Sequence, residues 1–183
     1  MREVLPIRWY AGRSAVVSTE GGRVFAVDPG LRSCGLALFD GGELVGAELV
    51  VHRNGNGPSQ WRGMGEAVSD AIRELGGRRR PTDELVIEYM QTRRGRSDAH
   101  DDLIQLSQVS GVIYALGPRQ IYHAPANTWT KGHTKEKNHP RIKRRLSNLE
   151  QATLEECLSC FPAGSWKEII DAVGIGLWHL RRL

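Results

Sequence analysis

The stretch Val24-Phe25-Ala26-Val27-Asp28-Pro29-Gly30, followed by Cys34-Gly35-Leu36-Ala37-Leu38-Phe39-Asp40-Gly41-Gly42, decides how the chain is read. The first run is apolar and β-prone and stops at a turn tripeptide, so it is a strand that ends on an acid. The second run reaches Asp40-Gly41-Gly42, where both glycines tolerate positive φ, and Glu43 to Val51 returns as a third strand. Three antiparallel strands therefore open the domain. Residues 1–22, which end in Glu20-Gly21-Gly22, read as an N-terminal extension, and residues 23–183 as one domain.

Downstream the period changes. Trp61, Met64, Val68, Ile72 and Leu75 recur at steps of three and four after Pro58, one apolar stripe of a helix that Gly76-Gly77 ends. Glu84 to Met90 is a short apolar strand, and Leu103, Leu106, Val109, Val112 or Ile113, and Leu116 trace a second helix closed by Gly117-Pro118. Gln120 to Ala124 is a fifth strand. The basic segment after it, interrupted by Gly132 and Pro140, is expected to be a loop until a helix begins near Arg141. Ser147 to Phe161 and Ser165 to about Arg182 are further helices. This order predicts an α/β fold, a mixed five-stranded sheet with its first three strands antiparallel and helices on both faces.

With 183 residues, 40% hydrophobic and 25% charged, the chain has the composition of a soluble globular protein, and no apolar run approaches the ~18 residues of a membrane span. The N-terminus lacks a secretory pattern, so a cytoplasmic location is expected. Three cysteines make no disulfide framework. Cys157-x-x-Cys160 lacks the two further ligands of a zinc site and reads as plain helix. The net charge of +4 is unevenly spread: Lys131 to Arg145 holds seven Lys or Arg against one Glu, and Arg78-Arg79-Arg80 and Arg93-Arg94-x-Arg96 add two clusters. Concentrated positive charge favours a polyanionic partner; a solvated basic face is the plainer alternative.

Four acids stand where acids are expensive. Asp28 ends an apolar strand, Glu88 interrupts another, and Glu168 and Asp171 lie three apart on the last helix, neighbours on one face. Buried acids must be paired, neutralised or bound to a cation, and clustered oxygen ligands are the usual home of Mg²⁺ or Mn²⁺. Each has a plainer reading. Asp28 before Pro-Gly is a common turn residue. Ser165-x-x-Glu168 fits a helix capping box. Glu88 is harder to explain away inside Leu85-Val86-Ile87, and Asp171 sits a turn into its helix, beyond any capping role. Divalent ions, rather than neighbouring cations, are expected to neutralise the group.

These residues resemble the RuvC-like Holliday-junction resolvases of the RNase H-like superfamily. The resemblance spans roughly Arg23 to His179. It rests on Val27-Asp28-Pro-Gly-x4-Gly35-Leu-Ala, Val86-Ile-Glu88, Leu106-Ser-Gln108-Val-Ser-Gly111 and Asp171-Ala-x-Gly-Ile-Gly, in that order. The wording of Trp129 to Ile142 looks more like the phage-encoded branch. The resemblance implies a homodimer that binds a four-way DNA junction and nicks two strands symmetrically, with two Mg²⁺ ions per active site and Mn²⁺ able to substitute. Asp28, Glu88 and Asp171 fall on the motif positions of metal ligands, with Asp28 shared by both ions; Glu168 stands where relatives more often carry Asp or His. Lys131 and Lys135 are assigned to scissile-strand phosphates or to the developing charge of the leaving group. Arg93, Arg94, Arg96, Lys137, Arg141, Lys143, Arg144 and Arg145 are assigned to junction arms. Gln91 replaces an aromatic that stacks in the junction centre of some relatives, and Tyr89 should point to the other side of its strand. The competing readings are a less selective RNase H-like nuclease on branched DNA or RNA–DNA hybrids, and a non-catalytic nucleic-acid-binding member of the fold.

Overall fold

The computed structural model describes residues 22–89 and 99–183. Strands β1 (Arg23–Asp28), β2 (Ser33–Asp40) and β3 (Glu43–Val51) form an antiparallel meander. Gly41 and Gly42, with φ of 59° and 86°, make the turn between β2 and β3 that the sequence predicts. Strands β4 (Glu84–Tyr89) and β5 (Gln120–Pro125) run parallel to β1, giving a five-stranded sheet in the order β3-β2-β1-β4-β5. A buried ion pair, Arg23 to Asp83 at 2.6 Å, ties the start of β1 to the residue before β4.

Strand alternation sorts the side chains into two cores. Phe25 and Val27 join Leu36, Leu38, Leu85 and Ile87 beneath α1 (Pro58–Gly76) and α2 (Ala99–Leu116). Val24 and Ala26 join Ala37, Phe39 and Val86 on the opposite face. That face is covered by α3 (Ala126–Trp129), α4 (Lys135–Lys143), α5 (Asn148–Ser159) and α6 (Trp166–His179). The arrangement is the expected mixed sheet with helices on both sides. By the same alternation Asp28 and Glu88 lie on the α6 face. Tyr89 lies on the other, its ring edge-on to His123 at 5.8 Å between centroids, which agrees with the sequence reading.

Two local expectations are corrected. α4 begins at Lys135, six residues before the expected start, and runs through Pro140. Pro140 cannot bond the carbonyl of Glu136, but both residues are exposed, so the interruption falls on the solvent side of the helix. The capping box falls at Ser147 and Glu150, whose side chains bond each other's backbone N–H; Ser165 makes no side-chain cap bond and ends a short 3₁₀ turn, Ala163–Ser165. Cys157 and Cys160 lie at the end of α5, as plain helix residues would. No described helix is long and apolar enough to cross a membrane.

Candidate active site

Val27 pairs with Ile87 across the parallel β1–β4 ladder, so the next residues, Asp28 and Glu88, emerge side by side at the carboxyl ends of two central strands. Carboxyl ends of parallel strands are where open α/β sheets bind ligands. The turn that follows Asp28 is held by the Cys34 thiol, which accepts from the Gly30 N–H at 3.2 Å and lies 3.3 Å from the Gly30 carbonyl. Burial pushes that thiol up to about 12, so it packs rather than reacts.

α6 completes the cluster, and Gly35 lets it approach. Gly35 pairs with Asp28 across the hairpin, and a Cβ built on it would stand 1.9 Å from the Glu168 carbonyl oxygen. Only glycine admits the helix so close. Asp171, one turn further along, lies within electrostatic reach of both Asp28 and Glu88.

Asp28 and Glu88 stand close enough at their strand ends for each carboxyl to act on the other. Burial, reinforced by the charges of Glu88 and Asp171, raises the Asp28 carboxyl well above the usual carboxylate range. Glu88 is raised chiefly by burial, against the pull of the Trp129 indole N–H, which donates to Oε1 at 2.9 Å. Glu168 faces Lys167 at 3.6 Å, while its Oε2 is buried with no hydrogen-bond partner. Glu168 joins the other three acids through Lys135, on which it acts together with Asp28 and Asp171 and which in turn acts on Glu88. Hard oxygen donors of this kind suit Mg²⁺ or Mn²⁺.

Asp171 departs from expectation. Its carboxylate, 3% exposed, bonds the Lys135 ammonium through Oδ2 and lies 2.9 Å from His139 Nε2 through Oδ1. Lys135 and His139, both on α4, are thus its side-chain partners. Among the described residues no group of three or more His, Cys, Asp or Glu side chains is already arranged to hold a metal. The four acids are therefore neighbours rather than a preformed cage.

The basic positions divide. Lys131, Lys135, Lys137, Arg144 and Arg145 are exposed and Lys143 is half-buried. Arg141 is corrected: its guanidinium turns inward, donating to Asn138 Oδ1 at 3.1 Å and to the Trp129 carbonyl at 3.4 Å. That contact braces α3 against α4 and removes Arg141 from the exposed basic surface. Arg93, Arg94 and Arg96 lie outside the described residues, as do residues 1–21. Sequence reading missed Trp129 and His139. Both sit in the basic segment, where the count of charges drew attention to lysine and arginine; the indole N–H of a nearly buried tryptophan and an imidazole four residues after Lys135 were the available signals.

No protein-family model matches the chain, and no curated protein matches it in sequence. Solved structures do match its fold. Thermus thermophilus RuvC in complex with Holliday junction substrate aligns with a TM-score of 0.51 over 86% of this chain and 92% of that one, at 14% identity. A second T. thermophilus RuvC structure gives 0.50 over the same shares, at 16%. The yeast mitochondrial Holliday junction resolvase Ydc2 gives 0.54 over 88% and 80%, at 9%. At these identities the likeness is one of fold: the chain has the RuvC-like, RNase H-like architecture.

Proposed function

We propose that this protein is a structure-selective endodeoxyribonuclease that resolves four-way DNA junctions by metal-dependent phosphodiester hydrolysis. The observation that carries the reading is the convergence of Asp28, Glu88, Glu168 and Asp171, from two strands and a helix, beside an exposed basic segment on a RuvC-like fold. A structural role for Glu168 as a cap is disfavoured, because Ser165 makes no cap bond.

The four acids would hold two Mg²⁺ or Mn²⁺ ions, which when bound activate water and neutralise a leaving oxygen. The chain's own groups do the rest. Asp28, central to the cluster, keeps its carboxyl beside Glu88, and Trp129 fixes the Glu88 rotamer by its indole N–H. Lys135, whose charge is felt by Asp28, Glu168 and Asp171, meets the scissile phosphate. Lys131 meets scissile-strand phosphates beside Lys135, and Lys137, Lys143, Arg144 and Arg145, with Arg93, Arg94 and Arg96, contact junction arms. Such phosphate contacts position DNA without reading its sequence, so shape dominates selection. Symmetric nicking needs two active sites on one junction, hence a homodimer.

The test is incubation of synthetic four-way junctions with Mg²⁺, Mn²⁺ or chelator, mapping nicks on all four strands. Paired, symmetry-related nicks that vanish with chelator support the reading. Equal cutting of linear duplex would instead favour a less selective nuclease, and junction binding with no nicking under either ion would favour a non-catalytic binder.

A further inference from the structure

Lys135 and His139 are four residues apart, so they project from one face of α4 on consecutive turns. Both end on Asp171, one on each oxygen. The two differ in access. The His139 side chain is 19% exposed and set within the fold, whereas Lys135 is 56% exposed and reaches in from solvent. The far end of α4 is anchored: Asn138 and Ile142 are buried, and Ile142 packs so closely on α6 that a Cβ at Gly174 would stand 2.6 Å from its Cδ1. Lys135 can therefore leave Asp171 by rotation of its own side chain while the helix stays seated.

Lys135 is also within electrostatic reach of all four acids. Asp171, Asp28 and Glu168 each act on it, and it acts in turn on Glu88. One ammonium faces four carboxyl groups, and a divalent ion entering the same cluster meets a like charge already bonded to one of its ligands. A DNA phosphate is the natural competitor for that ammonium, because it offers a negatively charged acceptor from the solvent side where Lys135 is open.

We propose that Lys135 and His139 form a latch on Asp171 that opposes divalent-ion binding until a nucleic-acid phosphate draws Lys135 away, so that ion loading and DNA binding reinforce each other. The inference rests on reading the four acids as metal ligands. By linkage, the ion strengthens phosphate binding by the same factor as phosphate strengthens ion binding. The latch keeps the hydrolytic site incomplete on the protein alone.

The experiment is titration of Mn²⁺ into the full chain, following free Mn²⁺ by its paramagnetic resonance signal, with and without a synthetic four-way junction. Without DNA, Lys135→Gln should bind Mn²⁺ more tightly than the wild type by about fivefold or more, the lower end of typical coupling. Lys135→Arg, which keeps the charge, should stay close to the wild type. Added junction should tighten Mn²⁺ binding more in the wild type than in Lys135→Gln, which has no latch to release; the nicked product carries the same phosphates, so turnover does not erase the effect. Unchanged or weaker binding by Lys135→Gln overturns the latch and leaves the metal reading standing. Absence of Mn²⁺ binding in all three proteins, with junction or without, overturns both.

Discussion

The carbonyl oxygen of Glu168 occupies the space that a side chain on Gly35 would fill, 1.9 Å from an ideal Cβ. Backbone lies on both sides of this contact, so neither partner can swing aside. Gly35→Ala should push α6 away from β1 and carry Glu168 and Asp171 away from Asp28. The expected result is loss of junction nicking together with a stability loss of about 1–3 kcal/mol, the usual cost of overpacking. Denaturant unfolding and a nicking assay on the same preparation check it; wild-type values in both would mean that α6 does not rest on this contact.

Asp28 stands at the end of β1 beside Glu88, and the charges of Glu88 and Asp171 both act on it. Asp28→Asn keeps the shape and removes the charge, so junction affinity should persist while single-turnover nicking slows at least about a hundredfold, the scale of losing a main charge stabiliser. Fluorescence anisotropy and quenched-flow cleavage separate the two effects. Near-normal cleavage by this variant would remove Asp28 from the chemistry.

Trp129 acts through Glu88. Trp129→Phe retains a ring in the core and deletes the indole N–H that reaches Oε1 at 2.9 Å. Loss of a hydrogen bond that orients a metal ligand costs about 10–100-fold in metal affinity or activity. The Mg²⁺ concentration giving half-maximal nicking should rise accordingly, with the melting temperature little changed. An unaltered Mg²⁺ requirement would make Trp129 a packing residue alone.

Far from the acids, Glu150 caps α5 and bonds both Arg182 and the Leu44 N–H. Burial opposes its charge, but these hydrogen bonds outweigh burial and hold its carboxyl down at about 2, against an ordinary 4.5. A folded-state value below the unfolded one stabilises the protein above the unfolded value and is lost as pH falls toward the folded one. Glu150→Gln should therefore destabilise most above about pH 5, with the difference from wild type shrinking as pH drops from there toward about 2. Urea midpoints of both proteins across that range give the comparison. A difference constant with pH would show that the ionised form contributes nothing.

Most of the sheet was legible because strand alternation and turn residues are local signals. Asp40-Gly41-Gly42 predicted its hairpin, and Val27-Asp28 and Ile87-Glu88 placed two acids at strand ends that parallel pairing then brought together. The start of α4 was not legible, since Pro140 reads as a break unless one knows that it stands on the solvent side of the helix. Arg141 read as one more cation in a basic run; its inward turn depends on Asn138 and Trp129, which tertiary packing brings to it. The partners of Asp171 were hidden for the same reason: Lys135 and His139 lie more than thirty residues away in the chain. Ser165-x-x-Glu168 offered a capping box that the preceding 3₁₀ turn prevents from forming.

The most direct measurement is anomalous scattering from crystals of the junction-bound protein grown with Mn²⁺. Two peaks among the carboxylates of Asp28, Glu88, Glu168 and Asp171, with Lys135 turned from Asp171 to a phosphate, are what this account predicts. Manganese bound elsewhere, or a DNA complex in which Lys135 still holds Asp171 and no peak stands between the acids, would contradict it.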